Sequence, residues 1–386
     1  MSIIDADTHI DESESTWAKL VGTEYEKYIP VTVNMPSEVN QHAGYRGLDT
    51  RMWLVENHMQ NRAIRDEINH PLRVYRELED VPGRIAHMDQ MGVEVQVIFP
   101  TFFIRYTTEN AEAEWALTTT YNRWLAEKCS KTDGRLRWAA MLPFMRPEAA
   151  AEELRWAKDN GACGFFKRGF DLNRTVVDPH FFPVYEEASA LDLPMCIHTG
   201  HPITDDEWDR GFPIMHSFTE IVTSNLPERF PNLRFGFIEA GASWIPYMVS
   251  QVGARTRQAE RGQEKVLPEL YDLAPDLFQK NRAFITIDLI DDVANILKFG
   301  TEDNLMIGTD YSHTDISANL DAFQGVQEWV NDGRITDSQA RKLLIDNAKG
   351  FSNFAAPGAD RLKIELVLSK KDITDLDDTD FIETMR

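Results

Sequence analysis

The sequence predicts a TIM-like (β/α)8 barrel, an α/β fold, on three observations. Short β-branched or apolar runs alternate with longer helical patterns. Several of those runs are apolar throughout, as strands buried on both faces must be. Eight such runs can be counted along the chain. Eight strands, each followed by a helix, is the count that closes a barrel. A chain of 386 residues with 42% apolar content can bury one core of that size.

The predicted strands are Ile3–Asp7, Glu94–Pro100, Leu136–Pro143, Gly164–Lys167, Leu193–Thr199, Leu233–Glu239, Ala283–Asp288 and Leu305–Asp310. Helical patterns separate them. Arg84–Met91 precedes the second strand, and Asn110–Cys129 carries Ala, Trp and Leu at helical spacing. Pro147–Lys158 begins with Pro in its first turn and stops before Asn160-Gly161. Phe181–Leu191 opens after Asp178-Pro179, and Met215–Phe230 and Asp291–Phe299 follow the same logic.

Two regions stand outside the repeat. Residues 11–81, roughly, separate the first strand from its helix and are polar with scattered aromatics at Trp17, Tyr25, Tyr45 and Trp53. A loop of that length without structure is rare, and βα loops sit at the catalytic face, so the segment reads as an inserted cap over the barrel mouth. The barrel proper would occupy residues 1–354 and a C-terminal arm residues 355–386, with the apolar stretch Leu362–Leu368 and then the acidic run Asp372–Asp380. An arm of this kind suits packing on a neighbouring subunit, and a homo- or hetero-oligomer is expected.

A formal charge of -23 repels phosphate, which argues against nucleic acid and anionic membranes as partners. The three cysteines, Cys129, Cys163 and Cys196, lack CxxC spacing, so they form neither a disulfide framework nor a structural zinc site. No signal-peptide run precedes Asp5 and no apolar stretch is long enough for a bilayer, so a cytoplasmic protein is expected.

In such a barrel the catalytic groups come from the C-terminal ends of the strands. The first strand ends in Asp5-Ala6-Asp7-Thr8-His9, where alternate residues share a face, so Asp7 and His9 can reach one metal. The fifth ends in Ile197-His198-Thr199-Gly200, the sixth in Ile238-Glu239-Ala240-Gly241 and the eighth in Thr309-Asp310-Tyr311. A strand-end Asp alone is ordinarily a helix cap or turn former. Carboxylate and imidazole together on separate strands at one rim need a counter-charge, and a divalent ion supplies it.

These segments resemble the signatures of the amidohydrolase superfamily, in its amidohydrolase-related (ACMSD-like) branch. The likeness rests on Asp7-x-His9, on His198-Thr-Gly, on Glu239-Ala-Gly-Ala-Ser-Trp-Ile-Pro-Tyr, on Gly308-Thr-Asp310-Tyr-Ser-His313 and on Arg84-Ile-Ala-His-Met-Asp-Gln-Met-Gly. It implies the barrel, a small-molecule substrate and a divalent metal held by Asp7, His9, His198 and Asp310. Where relatives often have His-x-His, this chain has Asp7 first, which widens the choice from zinc, the first expectation, to manganese or iron. Where many relatives carry a sixth-strand His, it has Glu239, open as general base, as ligand of a second ion or as a group orienting a ligand.

Around this set, Lys167 and Arg168 read as partners for a substrate carboxylate, with a structural ion pair or a bridging lysine carbamate as alternatives. His201 and His313 are candidate mouth-lining donors, and His216 opens a helix that can face the site. Phe103 and Trp244, beside strand ends, are candidates for an apolar substrate wall. Neither a G-x-S-x-G elbow nor a phosphate-binding glycine loop is present.

The resemblance puts first a hydrolase, in which a metal-activated water attacks a small, carboxylate-bearing substrate and Asp310 or Glu239 is the base. Its alternatives are a non-oxidative decarboxylase of an aromatic or unsaturated acid, a dinuclear iron or manganese oxygenase, and a non-catalytic metal-binding subunit. One zinc per chain favours the first, one manganese the second and two redox metals the third.

Overall fold

A computed structural model of the chain describes residues 3–34, 51–62, 70–200, 211–255, 277–313 and 317–353. Its main sheet has eight parallel strands in sequential order: β1 (Ile3–His9), β2 (Val93–Phe99), β3 (Leu136–Ala140), β4 (Ala162–Arg168), β5 (Met195–His198), β6 (Phe235–Ile238), β7 (Ala283–Ile287) and β8 (Leu305–Ile307). Each lies within or against a predicted run. The third stops at Ala140 rather than Pro143, where a residue without an N–H cannot continue a ladder.

The last strand returns to the first, as a barrel requires. The His9 N–H donates to Tyr311 O at 2.8 Å and the Asp310 N–H to Asp7 O at 2.9 Å. The Asp5 carboxylate adds a stitch across the same seam, accepting from Thr309 N at 2.8 Å and Thr309 Oγ1 at 2.6 Å. Gly308 makes this approach feasible, since a Cβ there would lie 2.3 Å from Asp7 Cβ.

The helices form where the sequence supplies caps. Asn110 accepts from the N–H groups of Glu112 and Ala113 and starts Ala111–Cys129. Pro147–Asp159 opens on its proline, at a position whose N–H has no helical partner anyway. The predicted helix Met215–Phe230 is two, Gly211–Thr223 and Leu226–Arg229, because Pro227 has no N–H with which to carry the first one through. Asp291–Phe299 is shorter as well: a turn of α-helix over Val293–Ile296 runs into a 3-10 turn, Leu297–Phe299, ended by Gly300 at φ 69°.

The polar segment after β1 is not structureless. It holds helical turns at Glu14–Leu20 and Glu26–Tyr28 and a three-stranded antiparallel sheet of Val31–Asn34, Arg51–Val55 and His58–Asn61. It packs on the loop that follows β2. Trp17 and Trp53 place their rings 5.1 and 5.9 Å from that of Phe102, and Gln60 Nε2 donates to Phe102 O at 3.0 Å. The expected C-terminal arm, 355–386, lies outside the described residues. Among those that are described, no helix is long and apolar enough to cross a membrane, and the three cysteines are buried free thiols.

Arg84 fastens β1 to β2 from the helix Val81–Met91. It is fully buried and donates to Gln96 Oε1 at 2.9 Å and to His9 O at 3.0 Å, and its guanidinium lies 4.3 Å from the centre of the Tyr311 ring. Gln96 in turn donates to Asp5 Oδ2 at 3.3 Å. An Arg84→Met substitution keeps most of the volume but strands these buried acceptors. We expect it to cost about 3 kcal/mol in a urea titration, the scale for removing one partner of a buried charged network.

Candidate metal centre

The C-terminal ends of β1, β5, β6 and β8 bring five of the predicted residues together. His9 Nε2 lies 3.5 Å from Asp7 Oδ1, 3.6 Å from Glu239 Oε2 and 3.5 Å from Asp310 Oδ1. His198 Nε2 stands 3.1 Å from His9 Nε2, 3.6 Å from Asp7 Oδ1 and 3.2 Å from Glu239 Oε2. All five side chains are buried.

A β-bulge aims the first strand. The register of β1 on β2 slips between Asp5 and Thr8, so Asp5 turns to Gln96 and Thr309 while Asp7 and His9 turn to the cluster. The two acidic strand-end residues are held in strained backbone. Glu239 has φ 58° and Asp310 φ 50°, in a left-handed region that costs a non-glycine residue about 1 kcal/mol or more. Thr286 Oγ1 accepts the Glu239 N–H at 2.8 Å and helps to hold it there.

Both imidazoles are oriented through their far nitrogens. His9 Nδ1 is 2.9 Å from Pro100 O and His198 Nδ1 is 2.8 Å from Thr199 O. A carbonyl only accepts, so both Nδ1 atoms carry hydrogen and, in the neutral rings, both Nε2 atoms present lone pairs to the centre. Burial lowers His9, yet Asp7 and then Glu239 outweigh it and carry its pKa up to about 9. Burial likewise raises Asp7, yet His198 and His9 hold it at about 2. The cluster is short of positive charge.

A divalent cation fits these residues. Asp7 Oδ1 is buried without a hydrogen-bond partner, and beside it the Nε2 atoms of His9 and His198 stand 3.1 Å apart, where as neutral rings both could ligate. Ligands bound at about 2.1 Å and about 90–110° apart stand roughly 3.0–3.4 Å from one another, close to the spacings observed. Asp7, His9 and His198 form one set within ligating reach, and His9, Glu239, Asp310 and His313 another.

His313 joins the cluster, its Nδ1 2.7 Å from Asp310 Oδ1 and its ring stacked 3.8 Å from that of His9. Ser317 Oγ donates to Asp310 Oδ2 at 3.2 Å and reaches Glu239 Oε1 at 3.4 Å.

Other predicted residues go elsewhere. Lys167 is fully buried, donates to Asp171 Oδ2 at 2.5 Å and lies 4.0 Å from the centre of the Phe181 ring. Arg168 donates to Asp171 Oδ1 at 2.6 Å and to the carbonyls of Phe103, Ile104 and Arg105 at 2.5, 3.2 and 3.0 Å. These bonds tie the loop after β2 to β4 through Asp171, the arrangement of the ion-pair alternative. Phe103 is buried against Trp17 and Tyr121, and Trp244 against Phe218 and Phe237, with its indole N–H on Gly241 O. Both are buried among other aromatic rings. His216 is half exposed and lies 3.6 Å from Glu220. His201 falls outside the described residues.

Sequence reasoning missed Thr101, Thr286 and Ser317. Thr101 directly follows Pro100, where the predicted second strand stopped, so the search for strand-end polar groups could have found it. Thr286 lay inside the seventh predicted strand. Ser317 carries no sequence signal.

An eight-stranded parallel barrel with imidazoles and carboxylates converging at one rim defines a class, the barrel enzymes built around a metal-binding mouth. Within that class the chain belongs to the amidohydrolase family, whose family model matches residues 4–351. It is thereby an enzyme of the hydrolase or decarboxylase kind. It is 25% identical over 304 residues to gamma-resorcylate decarboxylase of Rhodococcus jostii, covering 70% of this chain and 86% of that one. The fold matches an amidohydrolase from Mycobacterium avium subsp. paratuberculosis with TM-score 0.70 and 18% identity, over 92% of this chain and 98% of that one. It also matches 5-carboxyvanillate decarboxylase from Novosphingobium aromaticivorans, complexed with manganese and 4-hydroxy-3-methoxy-5-nitrobenzoic acid. There the TM-score is 0.61 and the identity 17%, over 92% of this chain and 96% of that one.

Two substitutions test the centre. His198→Ala should abolish metal retention through gel filtration, read by elemental analysis; full occupancy in that variant would refute the assignment. Gly308→Ala should weaken metal affinity about tenfold or more, since its methyl group must displace Asp7.

Proposed function

We propose that the protein is a metal-dependent, non-oxidative decarboxylase of a hydroxylated aromatic carboxylic acid. The observation that carries this reading is the Asp310–His313 pair, a carboxyl and an imidazole 2.7 Å apart at the edge of the cation cluster. Decarboxylation needs a group that gives a proton to a ring carbon beside the ion, and this pair can hold one there. Kinship to an aromatic-acid decarboxylase over 86% of that enzyme's length points the same way. Hydrolysis, placed first from the sequence, yields to this reading.

Asp7, His9, His198 and Asp310 would hold the ion, and Glu239, 3.2 Å from His198 Nε2, would steady the ligand set. A divalent ion held there would supply Lewis-acid chemistry toward an anionic aromatic substrate. Manganese, present in the carboxyvanillate enzyme, takes precedence over the zinc first expected. Asp310 gives a proton to the ring carbon that bears the carboxylate. The bond between that carbon and the carboxylate then breaks, its electron pair restores the aromatic ring, and carbon dioxide leaves. His313, at Asp310 Oδ1, holds the proton that Asp310 next requires. The segment from 11 to 81 acts as the cap, since its described part packs on Phe102 beside the cluster.

With manganese bound, the protein should release carbon dioxide from 2,6-dihydroxybenzoate or 5-carboxyvanillate. Asp310→Asn, with metal occupancy verified, should lower kcat about 100-fold or more. No carbon dioxide from a panel of hydroxybenzoic acids, with metal occupancy verified, would reject the reading.

A further inference from the structure

The loop that follows β2 is gripped at both ends by buried charge. Its 3-10 turn, Phe102–Ile104, is too short to satisfy the N–H groups at its start and the carbonyls at its end. At the start, the Glu12 carboxylate accepts the N–H groups of Thr101 at 3.1 Å and Phe102 at 2.8 Å. At the end, the Arg168 guanidinium donates to the carbonyls of Phe103, Ile104 and Arg105 at 2.5, 3.2 and 3.0 Å. Glu12 and Arg168 are both buried, and each meets the end of the turn whose partial charge is opposite to its own. Within this grip lies Ile104, half-buried beside the strand end that carries His198. Gly200, two residues beyond His198, has φ 110°, and a Cβ there would collide with Ile104 Cγ2. Glycine at that position therefore serves both the backbone conformation and the close seat of Ile104. The loop thus runs along the barrel mouth from β2 to the ends of β4 and β5.

We propose that Ile104 is a specificity-determining residue, a fixed wall that limits the size of the ring substituent admitted beside the cluster, and that Glu12 and Arg168 are positioning residues that hold it there. This inference rests on the decarboxylase reading and deepens it. An aliphatic side chain offers an aromatic ring no hydrogen bond, so it selects by volume. Selection by volume works only if the wall does not yield. Charge-assisted hydrogen bonds at both ends of the turn leave the loop little freedom to move aside, so a larger substituent meets Ile104 where it stands.

Calorimetric titration of the manganese-loaded protein with 2,6-dihydroxybenzoate and with its 3-ethyl and 4-ethyl derivatives reads the wall without requiring turnover. Relative to the parent acid, Ile104→Ala should tighten binding of at least one ethyl derivative about tenfold or more, and Ile104→Phe should weaken it. Arg168→Lys offers one ammonium where a planar fork met three carbonyls, and Glu12→Gln sets an amide N–H against a backbone N–H. Each should move the same ratio in the direction of Ile104→Ala, and in an Ile104→Ala background neither should move it further. A merely structural role would weaken all three acids alike. An ethyl-to-parent ratio that stays within about twofold of native in both Ile104 variants overturns the proposal. So does a shift by Arg168→Lys or Glu12→Gln that persists in full beside Ile104→Ala. If either of those two variants fails to fold, hydrogen exchange at the Thr101 and Phe102 amides of the native protein decides the grip: exchange as fast as in an exposed loop overturns it. Release of carbon dioxide with an unchanged ratio sinks this inference and leaves the decarboxylase reading standing. If none of the three acids binds to any of these proteins, the wall is refuted, and the decarboxylase reading falls with it only if no other hydroxybenzoic acid releases carbon dioxide.

Discussion

Negative charge crowded out of water at the barrel mouth is the constraint on which the rest of the structure depends. Asp7, Glu239 and Asp310 are buried within 3.6 Å of His9 Nε2. Carboxylates so placed are costly unless a cation answers them. In the bare protein His9 answers, held up to about 9 by Asp7 and Glu239 against the effect of burial. A divalent ion would answer it too, since these buried oxygens and imidazole nitrogens lie within ligating reach of one another.

Much of the surrounding framework keeps that crowding in place. Arg84, Gln96, Asp5 and Thr309 run as a buried polar chain behind the cluster and fasten the first strand to the second and the last. Pro100 O and Thr199 O set the tautomers of the two imidazoles. Glu239 and Asp310 occupy left-handed backbone, where Thr286 Oγ1 accepts the Glu239 N–H and Asp7 O accepts the Asp310 N–H. Left-handed backbone occurs at other residues as well, but at this rim it falls on two buried acidic side chains that face the cluster.

Charge elsewhere in the barrel does a different task. Lys167 and Arg168 are as buried as the cluster, but Asp171 neutralises them and three carbonyls absorb the guanidinium. The outcome is a stiff joint between β4 and the loop after β2. That loop carries Thr101 to His313 and Phe102 to the inserted segment, so the joint steadies the rim around the site.

The sequence by itself determined the eight strands, their parallel order and the strand ends that carry Asp7, His9, His198, Glu239 and Asp310, since apolar runs and the polar residues that end them are local signals. Pairing in register placed those ends at one rim, and the family signatures narrowed the chemistry. Only the tertiary structure decided which charged residues meet. Lys167 and Asp171 are four apart and close into a pair, whereas Thr101 and His313 are distant in sequence and meet through barrel closure. The β-bulge that separates Asp5 from Asp7, and the burial of Phe103 and Trp244, follow from packing between strands and loops, which no single segment encodes.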